Sequence, residues 1–327
     1  MPDKSILITG GLGFIGLHLA KHLRATAGVG RLTLLDTGNK RSPFIHSLPC
    51  GDVKLINTDV RDEQGMLDAM TGHDVVYHLA AESHVQNSID RPREFVNTNI
   101  LGTFAVLEAA RKVGARVVYA STSEVYGSAQ SNPMDETHPL EAQSPYAASK
   151  LAADRLVCSY VHTYGVRATI VRMFNAFGPG QHFEKLIPMF LCSALSNLPL
   201  PIQGDGSARR DWTYVSDVCD RLVTLMQDSA PPLINLGSGT TRSVAEIAQL
   251  VAELVDSAHP SVQRFARRPG HVSEQQADGA AVALKVGPIR VSFEDGLRLT
   301  VAWYRQHRHE WVDTFATERD TILFQMQ

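Results

Sequence analysis

Two groups of residues in this sequence combine types and spacing that do chemistry. Tyr146 and Lys150 stand four apart in "SPYAASKLAADRL", which places both side chains on one face of a helix. A tyrosine of pKa about 10 is a poor base at neutral pH, but a neighbouring ammonium stabilises its phenolate. Such a tyrosine can take the proton of a substrate hydroxyl while hydride leaves the same carbon for a nicotinamide. The second group is "ASTSEVYG", residues 120–127, where three hydroxyls and Glu124 follow the apolar run Val117-Val118-Tyr119. Alone, a carboxylate after a strand is an ordinary solvated charge, and Tyr-x-x-x-Lys is a common chance pattern. Their meaning depends on the elements that position them.

Those elements begin at the N-terminus. "SILIT" (5–9) is a short apolar run of the kind a buried parallel strand presents, and it leads into Gly10, Gly11, Gly13 and Gly16. Leu17, Leu19, Ala20 and Leu23 then recur at helical spacing. Strand, glycine turn and helix together build a site for a pyrophosphate, whose charge sits at the helix N-terminus. A second strand, "RLTLLD", ends in Asp36 at the distance that the dinucleotide fingerprint requires. A carboxylate there accepts hydrogen bonds from an adenosine ribose and repels a 2′-phosphate, which favours NAD over NADP; Lys40 and Arg41 pull the other way. "VKLINTDV", "DVVYHLAAES", "RVVYASTSE" and "ATIVRMFN" continue the beat of strands with helical patterns between them. The fold expected is α/β, a Rossmann-like doubly wound parallel sheet. Ligands of such sheets lie beyond the C-terminal strand ends, and Asp59, Ala80, Ala81, Ser121, Thr122, Glu124 and Asn175 all fall there.

Composition narrows the class of partner. The 327 residues suffice for about two domains, with 44% apolar and 20% charged residues, as in ordinary globular proteins. With 31 basic against 34 acidic residues and a net charge of −3, neither nucleic acid nor an anionic membrane is expected as a partner. Cys50, Cys158, Cys192 and Cys219 match neither a zinc nor a disulfide spacing, and the histidines form no metal-spaced cluster, so no metal is expected. The opening "MPDKSILITGG" is too short an apolar run for a signal peptide or a membrane span, so a cytoplasmic enzyme is the expectation.

The motifs Gly-x-x-Gly-x-x-Gly (10–16), "HLAAESHV" (78–85), "STSEVYG" (121–127) and "SPYAASK" (144–150) resemble the extended short-chain dehydrogenase/reductases of the NAD-dependent epimerase/dehydratase family. Within it the sequence is most similar to nucleotide-sugar 4,6-dehydratases of the dTDP-glucose and UDP-N-acetylglucosamine types. The likeness runs on through "FNAFGPGQ", "EKLIP", "PLPIQGDGSARRDWTYVSDV", "NLGSG" and "RPGH", nearly the whole chain. It implies a tightly held NAD, a nucleotide-diphospho-sugar substrate and a homodimer.

Carried over motif by motif, the resemblance implies roles for five residues. Tyr146 is the base at the C4 hydroxyl, Lys150 lowers its pKa and holds the nicotinamide ribose, Thr122 bonds the C4 oxygen, and Glu124 takes the C5 proton. Ser123 stands where the dTDP-glucose enzymes carry an Asp as general acid; a serine hydroxyl is too weak an acid to replace it directly. Glu124 could then serve both C5 and the C6 oxygen. The same likeness assigns cofactor contacts to Gly10, Gly13, Phe14, Ile15, Gly16, Asp36, Asn39, Asp59, Val60, Leu79, Ala80, Ala81, Ser83, Thr98 and Ser121, besides Tyr146 and Lys150. Substrate contacts fall on Ser83, His84, Thr122, Asn175, Lys185, Leu186, Arg210, Asn235, Arg268 and His271.

The second half departs from the strand–helix beat in its prolines and glycines, and the resemblance makes it a smaller C-terminal substrate-binding domain. The expected division is 1–178 plus about 209–238 for the NAD-binding domain, and about 179–208 plus 239–327 for the nucleotide-sugar domain. After "RPGH" the 4,6-dehydratases often continue Asp-Arg-Arg-Tyr, whereas this chain continues Val-Ser-Glu-Gln-Gln-Ala-Asp, more as epimerases do. Segments 91–114 and 144–165 read as helices that are apolar around much of their circumference, the pair that often builds the family's dimer. Besides a dehydratase, the readings to weigh are a 4-epimerase, a UDP-glucuronate decarboxylase, a 5,6-dehydratase and, remotely, a non-catalytic NAD-binding module.

Overall fold

The apolar runs of the first half become parallel strands in the computed structural model, which describes residues 3–26, 28–38, 53–256 and 261–324. They are β1 (Lys4–Thr9), β2 (Val29–Asp36), β3 (Val53–Asn57), β4 (Val75–His78), β5 (Arg116–Thr122) and β6 (Ala168–Met173). β7 (Asn175–Phe177), β8 (Leu200–Gln203) and β9 (Arg209–Tyr214) follow outside that sheet, and β10 (Leu233–Leu236) returns to it. Among the described residues the sheet has seven strands in the order β3-β2-β1-β4-β5-β6-β10, every pair parallel. The chain order reverses between β1 and β4, the switch point where such sheets open a crevice.

Side-chain alternation in each strand serves two covered faces. Ile6 and Ile8 of β1 point to a core shared with α1 (Phe14–Arg24), whereas Leu7 points to the opposite core. That opposite core is closed by α2 (Glu63–Met70) and, further on, by α5 (Gly102–Val113) and α6 (Pro145–Tyr164). Between α2 and α5 lie two short helices, α3 (Val85–Asp90) and α4 (Pro92–Phe95), and a π-helical turn, Val96–Leu101. The helical pattern over 91–114 is therefore not one regular helix. Asn99 anchors the wide turn: its amide accepts from Glu82 N (2.9 Å) and donates to Glu82 O (3.0 Å) and Ser149 Oγ (2.9 Å). Gly114 and Gly165 end α5 and α6 in the left-handed conformation.

The second half supplies α7 (Leu186–Leu195), α8 (Val215–Thr224), β11 (Thr241–Ser243), α9 (Val244–Leu254), β12 (Val262–Phe265), β13 (Glu274–Gln275), α10 (Gly279–Val286), α11 (Phe293–Gln306) and α12 (Arg308–Phe324). β9 is the hub of a small sheet with β7, β11 and β13, and β8 pairs with β12. A third core gathers Phe177, Phe190, Trp212, Ile247, Leu297 and Trp311. Two elements cross the expected domain boundaries. β9, placed with the first domain, pairs with β11 and β13 of the expected second domain as well as with β7. α10, placed with the second, sends Val282 and Val286 into the core around β1.

Candidate functional site

The hydroxyl-rich octet is where β5 ends. Thr122 caps one 3₁₀ turn, Ser123–Tyr126, its Oγ1 accepting the Glu124 N–H at 3.2 Å, and Gly127 closes the turn at φ +71°. Opposite, Ser144 caps α6 by accepting the Ala147 N–H at 3.1 Å, and Pro145 occupies the first turn, where its missing N–H costs nothing. The fixed start of α6 sets Tyr146 against Thr122, with which its hydroxyl is hydrogen-bonded. Lys150, one turn on and 3% exposed, donates to Ala120 O at 2.6 Å and lies 4.4 Å from the Tyr119 ring centroid.

Burial governs the protonation of both groups. It pushes the Tyr146 phenol up to about 12, against the Thr122 hydrogen bond and with help from the Glu124 charge. It pulls the Lys150 ammonium down to about 7, and Asp154 opposes this. Asp154 went unnoticed in the sequence, although it lies one further turn along the same face as Tyr146 and Lys150. It is fully buried, accepts from Ser121 Oγ (2.9 Å) and Arg172 Nε (3.0 Å), and also binds Arg155. Burial would raise the Asp154 carboxyl, but the Arg172 and Arg155 guanidiniums outweigh it and hold the pKa below the ordinary carboxylate value. Ser121, assigned to the cofactor, thus gives its hydroxyl proton to Asp154.

The glycine turn fits a dinucleotide. Gly10 has φ +67°, and a Cβ there would come 2.7 Å from Ala80 N. A Cβ on Gly13 would press on Gly10 O at 3.2 Å and meet nothing else within 4 Å, so the glycine leaves its other side open for a ligand. Gly13 caps α1 with no side-chain hydrogen bond and no acidic residue follows in the first turn, which suits a pyrophosphate. Phe14 and Ile15 lie half-buried in that turn, and Gly16 is buried. Asp36 is held beside the turn, accepting from Leu12 N (3.1 Å) and Gly38 N (2.8 Å), with lone pairs left for a ribose. Leu79, Ala80 and Ala81 follow β4 next to it, half-buried like Thr98 of the π turn, and Val60 is buried. Asp59 binds Arg61 through Nε (2.9 Å) and a terminal nitrogen (2.6 Å). Asn39 lies outside the described residues.

Across the crevice the second half presents cations. Arg210 is strung on backbone carbonyls, donating to Arg209 O (2.9 Å), Val272 O (2.7 Å) and Ser273 O (3.4 Å). Burial lowers the pKa of Arg210 and Arg268, and the charge of Glu124 raises both. Burial pulls His84 down to about 4, with Lys185 next in effect; burial, then Arg210, lowers His271. Lys185 reaches Ser83, donating to its carbonyl (2.8 Å) and hydroxyl (3.3 Å); Leu186 begins α7 and is half-buried. Asn175 begins β7, paired with Trp212. Arg268 Nε and His84 Nδ1 are buried without a hydrogen-bond partner. Buried polar nitrogens without a partner, on a wall that also carries Arg210 and Lys185, suit an anionic ligand.

Two assigned residues are placed elsewhere. Ser123 is 1% exposed and donates to Gln275 Oε1 at 3.0 Å, so its proton is engaged inside the fold. Asn235, also 1% exposed, is bound by Tyr126 (2.7 Å), Met134 O (3.2 Å) and, through its backbone, Glu136 (2.9 Å). Both ends of its side-chain amide are taken, Oδ1 by Tyr126 of the turn after β5 and Nδ2 by Met134 O, so the side chain is engaged inside the fold. Among the described residues no group of three or more His, Cys, Asp or Glu could hold a metal, and no helix is long and apolar enough to cross a membrane.

The sequence matches the GDP-mannose 4,6 dehydratase family over residues 7–287. It is 35% identical over 316 residues to a dTDP-glucose 4,6-dehydratase of Streptomyces niveus, covering 94% of each chain. The structure superposes with a TM-score of 0.89 on DesIV, a dTDP-glucose 4,6-dehydratase from Streptomyces venezuelae solved with NAD bound, at 35% identity over 94% of this chain and 98% of that one. TunA, an NAD-dependent NDP-hexosamine 5,6-dehydratase involved in tunicamycin biosynthesis, gives 0.84 at 35% identity, over 92% and 97%.

Proposed function

The chain belongs to the GDP-mannose 4,6 dehydratase family of NAD-dependent nucleotide-sugar epimerases and dehydratases, and from that premise we propose that it is a nucleotide-sugar 4,6-dehydratase. One observation carries the reading: Thr122 caps one 3₁₀ turn and Glu124 lies within it, with Tyr146 bonded to the first and in the field of the second. An oxidation at C4 needs Thr122, Tyr146 and Lys150 and has no use for a carboxylate; an elimination does.

In this reading Tyr146 takes the proton of the C4 hydroxyl, aided by Lys150 and Thr122. The glycine turn, Asp36 and Lys150 would hold NAD, which would supply the hydride chemistry between C4 and C6. The ketone at C4 acidifies C5–H, Glu124 removes that proton, and it delivers a proton to the C6 oxygen, which leaves as water. C5 then regains one proton, equal to the one Tyr146 removed from O4, so neither protons nor electrons are consumed. Arg210, Arg268, His84, His271 and Lys185 hold the nucleotide diphosphate, for which guanidinium forks are well matched.

The test is incubation with dTDP-, UDP-, GDP- and CDP-hexoses without added NAD. The reading expects loss of one water and a new C6 methyl signal. An unchanged mass with a new stereoisomer, loss of carbon dioxide from a uronate, an exocyclic alkene at C6, or no turnover would each overturn it. Glu124→Gln is expected to lower water loss by about 10²–10⁴-fold while C4 oxidation persists as reduced-cofactor absorbance. We also propose a cytoplasmic homodimer. The pairing through α5 and α6 is supported by exposed Val96, Leu101 and Tyr164 beside these helices, and residence in a reducing compartment by the free thiols of Cys158, Cys192 and Cys219. Sedimentation equilibrium checks the dimer.

A further inference from the structure

Two of the positions where this chain departs from the dehydratase pattern it resembles touch each other. Position 123 carries Ser instead of Asp, and the fourth residue after "RPGH", position 275, carries Gln instead of Tyr. They are 152 residues apart in sequence, yet Ser123 Oγ donates to Gln275 Oε1 at 3.0 Å. Gln275 is fully buried and uses both amide hydrogens on the same turn: Nε2 donates to Ser123 O at 2.8 Å and to Gly127 O at 3.1 Å. The two carbonyl acceptors fix which end of the amide is the donor, and hence fix Oε1 as the acceptor for Ser123.

We propose that Gln275 is the positioning residue for Glu124 and that Ser123, bonded to it, gives no proton to the reaction. The inference rests on the dehydratase reading above. Its geometry is a clamp. Gln275 grips the turn at Ser123 and at Gly127, on either side of Glu124, while Thr122 caps the Glu124 N–H and the Gly127 N–H closes on Glu124 O at 3.1 Å. With its backbone held at both ends, the carboxylate has little freedom except in its own side-chain torsions. The Ser123 hydroxyl has a single proton, already directed at Gln275, and both groups are sealed from solvent.

The clamp comes from the cation-bearing wall. β13 joins the turn's exit through Ala129 N to Glu274 O (3.1 Å) and Ser273 N to Ser128 Oγ (3.1 Å). The carbonyls just before it, Val272 and Ser273, hold Arg210. One short segment, residues 272–275, therefore bonds both the turn that carries Glu124 and the Arg210 guanidinium.

Gln275→Met keeps the volume and removes the three bonds. Single-turnover measurement on a nucleotide-sugar that the unaltered enzyme dehydrates follows C4 oxidation by reduced-cofactor absorbance and elimination by loss of water. The expected result is elimination slowed about a hundredfold, the size of effect that a roughly 1 Å misplacement produces, with oxidation far less affected and reduced cofactor accumulating. Equal slowing of both steps, or no slowing, overturns the proposal, since a merely structural defect does not separate the steps.

Ser123→Ala guards against failure of that variant to fold, because it leaves both carbonyl bonds of the clamp in place. Its elimination rate is expected to fall by less than about tenfold, the worth of one neutral hydrogen bond. A fall of about a hundredfold or more, the mark of a lost general acid, would sink the idea. Should the unaltered enzyme fail to release water from any nucleotide-sugar, it is the dehydratase reading that falls, and the two failures are told apart by that control.

Discussion

The two walls of the crevice are built by opposite means. The wall from the large sheet is secondary structure throughout: strand ends in parallel register, a glycine turn at the start of α1, and Tyr146, Lys150 and Asp154 on successive turns of α6. The facing wall has a two-residue strand, β13, and a three-residue strand, β7, and its functional side chains are held by bonds to backbone carbonyls, as Arg210 is. A ladder fixes many atoms at once, so the first wall can place reacting groups closely. The second wall positions charge, and it grips the turn that carries Glu124 through Gln275. The difference teaches where the chemistry and the recognition reside, and it can be broken at either wall.

The first wall carries the largest expected effect. Tyr146→Phe removes the base while keeping the ring that meets Phe95 edge-on at 6.2 Å. Turnover is expected to fall by about 10²–10⁴-fold, read as loss of both cofactor reduction and product, with thermal stability and cofactor content retained. Survival of cofactor reduction would mean that another group on this wall takes the C4 proton.

Asp154→Asn tests how that wall is held. Removing the charge leaves Arg172, itself 1% exposed, without its counter-ion, and breaking such a buried pair costs about 3–5 kcal/mol. Urea denaturation at neutral pH should show the loss. The Asp154 carboxyl is held below its unfolded value, so its contribution is present above the ordinary carboxylate pKa and vanishes as pH falls through the depressed one. The difference between variant and parent should accordingly shrink in acid. Activity supplies a second readout. Lys150 is faced by Asp154 on its own helix, by Tyr119 on β5 and by His78 on β4, and Tyr146 lies one turn before it. Asp154 favours its charged form, so the alkaline limb of the kcat profile should move to lower pH in the variant. An unmoved limb would mean that Asp154 only packs the wall.

What could be read from the sequence follows the same division. β1, the glycine turn and Asp36 are legible because each is a local pattern: an apolar run, a spacing, a strand end. The Tyr146–Lys150 pair is legible for the same reason, and Asp154 would have been, had the helical spacing been followed one turn further. Ser123 and Asn235 misled because their types suit a site, while their bonding is decided by partners 152 and 109 residues away. The π turn at Val96–Leu101 is invisible in the helical pattern, since its cause, Asn99 bound to Glu82 and Ser149, is tertiary. The crossing of the domain boundary by β9 and α10 has the same origin. A strand joins whichever sheet its neighbours complete, and a short apolar helix joins the nearest uncovered core.

The smallest effect belongs to the second wall, and it separates recognition from chemistry most cleanly. Arg210→Lys keeps the charge but not the fork. A guanidinium can bond the Arg209, Val272 and Ser273 carbonyls and still present a planar edge to an anion; an ammonium is a point donor on a flexible stem. If this wall only recognises the nucleotide diphosphate, KM should rise about tenfold with kcat little changed, the loss of about one hydrogen bond common to ground and transition states. Initial rates against nucleotide-sugar concentration, with calorimetric binding of the nucleoside diphosphate, decide it. If kcat falls while the diphosphate binds as before, loosening Arg210 has moved β13, and with it Gln275 and the Glu124 turn. The wall that recognises would then also be tuning the wall that reacts.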